Sequence, residues 1–209
     1  SSELGVLRNS IFSNLVMYMS KNLDRGIKDL SIFEIGPIFY GSQPGAQNTV
    51  VCGLSAGKKS RLSWIEKERN IDVFDIKSDA IKTLVELGIE EKNLFVSDNT
   101  KHSYHPGRSG SITLKSEKGP HLAYFGEIHP AIIKNLDCKD KNIFGFEIFL
   151  KNIPEPNKKL RQSKKSFQAS DYQKSERDFA FVIDKIFKIG TLEKIIREVD
   201  DDLIQNVST

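Results

Sequence analysis

Six short runs of β-branched and aromatic residues crowd the first 150 positions, and that crowding limits the folds open to this chain. They fall at 30–40 (LSIFEIGPIFY), Thr49–Ser55 (TVVCGLS), 94–97, 109–115, 121–127 and 143–150. Strands this close in sequence, with helices only intermittently between them, favour an α+β domain built on a largely antiparallel sheet. Gly36-Pro37 in the middle of the first run predicts a bulge or bend. Phe12, Leu15, Met19 and Leu23 recur at helical spacing with Gly26 as a stop; Ile76, Ala80, Leu84 and Leu87 do the same, ended by Gly88. A short helix at about 130–137 opens with Pro130, a residue suited to a first helical turn.

A second unit begins after a basic stretch. Lys151, Lys158, Lys159, Arg161, Lys164 and Lys165 are opposed only by Glu155 within 151–165, and Pro154 and Pro156 mark the segment as a linker. Its charge suits phosphates in a salt-dependent way, but a solvated hinge would look the same. Beyond it, Arg177–Asp184 reads as an aromatic-rich strand. Leu192, Ile195, Ile196 and Val199 read as an amphipathic helix with Thr191 as N-cap, and Leu203–Val207 as another strand. This β–α–β opening looks like the start of a ferredoxin-like domain, so the chain is expected to be a fragment.

Composition excludes several classes. With 209 residues, 38% hydrophobic, 28% charged and a net charge of +3, the chain is globular rather than disordered or fibrous. No apolar run approaches the ~20 residues of a membrane span, and the start has no secretory signal pattern. Cys52 and Cys138 make neither a disulfide framework nor a metal site, which fits a reducing cytosol.

Chemistry-bearing motifs are sparse. His102 and His105, and His121 and His129, lack the supporting cysteines or carboxylates of a zinc site, and no Gly-rich phosphate loop or GxSxG elbow occurs. The polar cluster His105-Pro106-Gly107-Arg108-Ser109-Gly110 is read two ways. Arg108 beside an exposed His105 could hold an anion, giving with Glu127 an acid–base site of a stand-alone enzyme. Alternatively Pro-Gly makes a turn and Arg108 pins a neighbouring loop through carbonyls or Glu127, the reading preferred here. Glu34, inside the apolar Phe33-Glu34-Ile35, needs a partner if buried; Arg8 and Arg25 are the candidates.

An ordered set of segments carries a family resemblance. Leu7-Arg8-Asn9-Ser10, Asn22–Gly26, Leu30–Phe39, Phe74–Lys77, His105–Ser109, Gly126-Glu127-Ile128-His129-Pro130 and Phe146-Glu147-Ile148 together resemble the C-terminal part of bacterial phenylalanine–tRNA ligase β subunits. Ser170–Val182 resembles the opening of that subunit's ferredoxin-fold anticodon-binding domain, although Gln173, Ser175 and Glu176 depart from the family pattern while Arg177-Asp178 keeps it.

The resemblance implies residues 1–152 as a class II synthetase catalytic-like antiparallel sheet flanked by helices, without catalytic residues. It implies 153–166 as a basic linker and 167–209 as a truncated anticodon-binding domain. It implies a scaffold contacting the α subunit and tRNA(Phe) in a cytoplasmic α2β2 ligase, with ATP and Mg2+ serving the whole enzyme and no cofactor or metal in this part. Lys158, Lys159, Arg161, Lys164, Lys165 and Arg177 are then the tRNA-facing candidates. Arg8, Glu34, His105, Arg108, Glu127 and His129 form a structural polar cluster. The residues agree on one point: class II chemistry needs arginines that clamp ATP phosphates, and neither Phe33–Phe39 nor Phe144–Phe149 contains one. The apolar residues of 11–23 and 30–40 are expected to face the α subunit.

Overall fold

The computed structural model describes residues 6–60, 64, 67–136, 138, 142–155, 173–200, 203–204 and 206–207. The chain divides into two compact units, Ser1–Arg161 and Gln162–Thr209.

The first unit is α+β. Helix α1 (Phe12–Asp24) leads into strands β1 (Leu30–Phe39) and β2 (Gln47–Ala56), then the short β3 (Lys58–Ser60) and β4 (Arg69–Asn70). Helix α2 (Val73–Glu86) precedes β5 (Leu94–Ser97), β6 (Tyr104–Leu114) and β7 (His121–Ile128); α3 (Pro130–Asn135) and β8 (Ile143–Phe149) complete it. Six strands form one sheet in the order β1-β2-β8-β7-β6-β5, every neighbouring pair antiparallel. β3 and β4 pair separately.

Strand alternation sends side chains to two cores. On one face Phe12, Leu15, Val16 and Met19 of α1 and Ile133 of α3 pack on Ile38, Val50, Leu54, Ile143 and Phe149. On the other, Ile76, Ala80 and Leu84 of α2 pack on Ile112, Leu122, Phe125, Phe144 and Ile148. The stops read from the sequence hold. Gly26 (φ 87°) and Gly88 (φ 95°) follow the two helices, where the Ile27 and Ile89 amides close back on Asn22 and Leu84 carbonyls. α2 begins with a reciprocal cap: Asp72 accepts from the Phe74 and Asp75 amides, and Asp75 accepts from that of Asp72.

Several expectations are corrected. Gly36-Pro37 makes no bulge: the β1–β2 register runs unbroken from Leu30↔Ala56 to Phe39↔Gln47. β1 is an edge strand, where a proline without a donor costs no ladder bond. Pro106-Gly107 is not a turn but lies within β6. The register jumps there from Tyr104↔Ile128 to Ser109↔Gly126, and the extra residues form a bulge held by Ser109 Oγ donating to the His105 carbonyl at 2.6 Å.

The apolar stripe of α1 does not face outward for a partner; it fills this unit's own core. The outward apolar residues of 11–40 are instead Met17, Tyr18, Ile27, Phe33, Ile35 and Tyr40.

The second unit, as described, contains one helix, α4 (Ile189–Val199), and no strand. Residues 177–184 do not form the expected strand, because no described segment of this unit offers them a ladder. Residues 203, 204, 206 and 207 are likewise outside any strand, and the rest of Leu203–Val207 falls outside the described residues. The helix starts earlier than expected: Lys188 rather than Thr191 is the N-cap, with no side-chain cap bond.

Candidate functional site

The register places one polar row across the whole sheet on the α1 side. Glu34 faces Cys52, Cys52 faces Glu147, Glu147 faces Tyr124, Tyr124 faces Ser111, and Ser111 faces Ser97. Each strand contributes one residue, in a layer otherwise filled by the α1 core. Cations close the row from its margins. Arg8, ahead of α1, lies 2.5 Å from Glu34 and also donates to the Pro37 carbonyl at 3.0 Å. The guanidinium crosses directly over Gly36, where a Cβ would collide with it. Lys101, from the loop between β5 and β6, donates to Glu147 at 2.9 Å, and Glu147 is only 3% exposed. Ser97 and Ser111 share a hydroxyl hydrogen bond of 3.0 Å at the far end.

Electrostatics follow from this layout. Burial, with the Glu147 and Glu34 carboxylates nearby, pushes the Cys52 thiol far up, so it stays protonated and non-nucleophilic. Burial raises Tyr104 well above its ordinary value, and burial followed by Glu147 raises Tyr124. Both phenols therefore remain neutral donors; Tyr104 Oη donates to the Tyr124 carbonyl at 3.3 Å.

The opposite face carries a third neutralised carboxylate. Glu127, almost fully buried, accepts from Arg108 Nη2 at 2.9 Å, and Arg108 Nε lies 2.6 Å from its other oxygen. The β6 bulge positions Arg108 for this. Gly126 makes room where β7 meets the bulge: its φ is 149°, and a Cβ there would strike Ser109.

His105 and His129, the other members of the expected cluster, are engaged with their own backbone. His105 Nδ1 accepts from the Gly107 amide at 3.1 Å, and His129 Nδ1 accepts from the Ala131 amide at 3.1 Å as the N-cap of α3. The acid–base reading of His105, Arg108 and Glu127 loses its components, because Arg108 is committed to Glu127 and His105 to the backbone of the bulge. Arg25 is the C-cap residue of α1, while Arg8 partners Glu34. In the second unit, exposed Arg177 donates to the Glu176 carbonyl at 3.0 Å. Lys158, Lys159, Arg161, Lys164 and Lys165 lie outside the described residues. Among the described residues, no group of three His, Cys, Asp or Glu side chains is placed to hold a metal ion, and no helix is long and apolar enough to cross a membrane.

Sequence reasoning missed Lys101, Cys52, Tyr124 and Glu147 as members of one row. The signal for Glu147 was present: Phe146-Glu147-Ile148 repeats the pattern Phe33-Glu34-Ile35 that flagged Glu34.

This strand order and layering now meet known proteins. Residues 1–150 match the family described as "Phenylalanyl tRNA synthetase beta chain CLM domain". The chain belongs to this family. A phenylalanine–tRNA ligase beta subunit of Paramagnetospirillum magneticum is 38% identical over 208 residues, covering 100% of this chain and 26% of the relative. The corresponding subunit of Bartonella henselae is 36% identical over 211 residues, 99% of this chain and 26% of the relative. The chain thus spans about a quarter of the length of the curated relatives it matches. Among solved structures, a pyrrolysyl tRNA synthetase, PylSc of Desulfitobacterium hafniense, shares the fold with a TM-score of 0.50 at 18% identity, over 70% of this chain and 47% of that one. The CLM domain here is the six-stranded unit, and its polar row is the feature any function must accommodate.

Proposed function

We propose that this chain is a non-catalytic scaffold within the β subunit of a phenylalanine–tRNA ligase. Its sheet is a class II catalytic-like module that has given up phosphate chemistry, and the α subunit is its partner in a cytoplasmic α2β2 enzyme. In that enzyme ATP, Mg2+ and tRNA(Phe) serve the activity of the whole assembly.

One observation carries the reading. Three cations set against the sheet are matched to buried or half-buried carboxylates of the chain itself: Arg8 to Glu34, Lys101 to Glu147, Arg108 to Glu127. A phosphate clamp needs cations preorganised and free for the developing charge, and a cation already holding a buried carboxylate leaves that carboxylate orphaned when it moves. The family match and the relatives' names support the assignment to a ligase subunit. For the α subunit, the outward Phe33 and Ile35 of edge strand β1 are the apolar surface on offer, 73% and 59% exposed. For tRNA, the basic stretch 153–166 with Lys158, Lys159, Arg161, Lys164 and Lys165 suits phosphate contacts, and Arg177 joins it as an exposed cation.

The test is phenylalanine-dependent ATP–pyrophosphate exchange together with sedimentation, on the chain alone and with a bacterial α subunit. No exchange by the chain alone and a sedimenting complex with α are expected. Exchange by the chain alone, or no complex at any concentration, would overturn the proposal.

A further inference from the structure

The corner between β7 and β8 on the α1 side has the construction of an ammonium receptor. Tyr124 and Glu147 are register partners, and Phe149 stands two residues beyond Glu147 on the same face. The Tyr124 and Phe149 rings meet at 86° with centroids 5.9 Å apart. His121 stacks on Tyr124 with centroids 5.1 Å apart and planes at 18°. The carboxylate of Glu147, 3% exposed, closes the corner. Into it comes Lys101 Nζ, 4.7 Å from the Tyr124 centroid, 4.2 Å from that of Phe149 and 2.9 Å from Glu147 Oε2.

The walls and the cation come from different kinds of structure. Tyr124, Glu147 and Phe149 stand on two neighbouring central strands; Lys101 hangs from the loop between β5 and β6 and is 37% exposed along its side chain. We infer that this corner is a binding site for a primary ammonium group, filled in the resting chain by Lys101 as a tethered ligand. Two ring faces attract a cation through their quadrupoles, and the buried carboxylate selects one that still has N–H to donate. A primary alkylammonium satisfies both requirements. A quaternary ammonium satisfies only the rings, and a sodium ion has no N–H to donate to the carboxylate. Truncating Lys101 removes the tethered ammonium, while Tyr124, Glu147 and Phe149 keep their places on β7 and β8. The inference does not rest on the scaffold reading above, since it concerns only this chain's own side chains.

The experiment is rescue. In the Lys101→Ala chain the thermal midpoint is followed against propylammonium chloride, with sodium chloride and tetramethylammonium chloride at equal ionic strength. The expected result is a saturable rise of about 2–4 °C with propylammonium alone, the size of shift a bound ligand gives a unit this large. The unaltered chain, whose corner is filled, and the double variant Lys101→Ala with Glu147→Gln should show no such rise. Equal midpoints in propylammonium and sodium chloride for Lys101→Ala would overturn the inference, as would the same rise in the double variant. If Lys101→Ala fails to fold in sodium chloride, refolding yield becomes the readout: recovery in propylammonium supports the site and equal yields refute it.

Discussion

Helices α1 and α4 carry the same signature and meet opposite fates. Both present apolar residues at three- and four-residue spacings: Phe12, Leu15 and Met19 in one, Leu192, Ile195, Ile196 and Val199 in the other. In α1 these side chains are at most 4% exposed against β1, β2 and β8, whereas α4 has no buried residue and Val199 is 74% exposed. Periodicity states which face of a helix will be buried if something is there to bury it. It does not supply the second layer. The strands teach the same: β7 has β6 and β8 on either side, while the aromatic run Phe179-Ala180-Phe181 has no described ladder, and its Phe179 and Phe181 rings stack on each other at 6.3 Å.

The largest expected effect breaks or confirms that contrast directly. Leu15→Ala should destabilise the sheet unit by about 2–5 kcal/mol, the cost of a buried leucine truncation with its cavity. Leu192→Ala in α4, where the side chain is half-buried and no residue is buried, should cost well under that, within about 1 kcal/mol. Urea unfolding of the two variants measures both. A comparable loss from Leu192→Ala would show that α4 has a packed face after all.

The next effect concerns a charged pair that exists only where a sheet organises it. Arg69 holds Asp75 bidentately, at 2.6 and 2.7 Å, while Asp75 also caps the start of α2. The Arg69 hydrogen bonds hold the Asp75 carboxyl below its usual value of 3.8, against the opposing pull of partial burial. A folded-state pKa below the unfolded one stabilises fully above 3.8, and that contribution fades as pH falls through 3.8 toward the folded value. Unfolding free energy should therefore decline between about pH 4.5 and the acid limit, and Asp75→Asn should flatten that limb. The same variant should cost about 1–3 kcal/mol at neutral pH through the lost cap and pair. An unchanged acid limb in Asp75→Asn would place the titration elsewhere.

How far the sequence carried these features differs by the range of the interaction. Several local signals held: Gly26 and Gly88 ended their helices, Pro130 opened α3, and the run at 94–97 is β5 as observed. Pairings across the sheet were not legible, because register is a property of two strands at once. Glu34 called for a cation and Arg8 answered it, but only the fold shows Arg8 crossing Gly36 to arrive there. Glu147 was passed over although its apolar neighbours repeat those of Glu34, since its partner Lys101 lies 46 residues away on a loop. Pro106-Gly107 misled for a related reason. A turn and a bulge use the same residues, and which one forms depends on whether β7 lies alongside.

Thiol reactivity gives a smaller and sharper comparison within the sheet unit. Cys52 and Cys138 are both free and buried. Cys52, held protonated by burial and by Glu147 and Glu34, should not react with an aromatic disulfide reagent until the sheet opens. Its labelling rate should follow urea-induced unfolding of that unit. Rapid labelling of Cys52 in native buffer, located by peptide mapping, would show that β1 and β2 separate readily.

The smallest effect sets two glycines against each other. A Cβ at Gly36 would strike the Arg8 guanidinium, the far end of a flexible side chain, so Gly36→Ala should displace Arg8 from Glu34. Glu34 is 31% exposed and can recover water, so the loss should be modest, about 1 kcal/mol or less. At Gly190 in α4 nothing lies within 4 Å, and an added methyl meets only solvent. There Gly190→Ala should raise helix content through propensity, by up to about 1 kcal/mol for that helix. Circular dichroism at 222 nm reads the gain, and urea unfolding of the sheet unit reads the loss. Opposite signs follow if the sheet unit is limited by fit and α4 by the absence of anything to fit against. Matching signs would mean that the contrast between α1 and α4 is not one of packing.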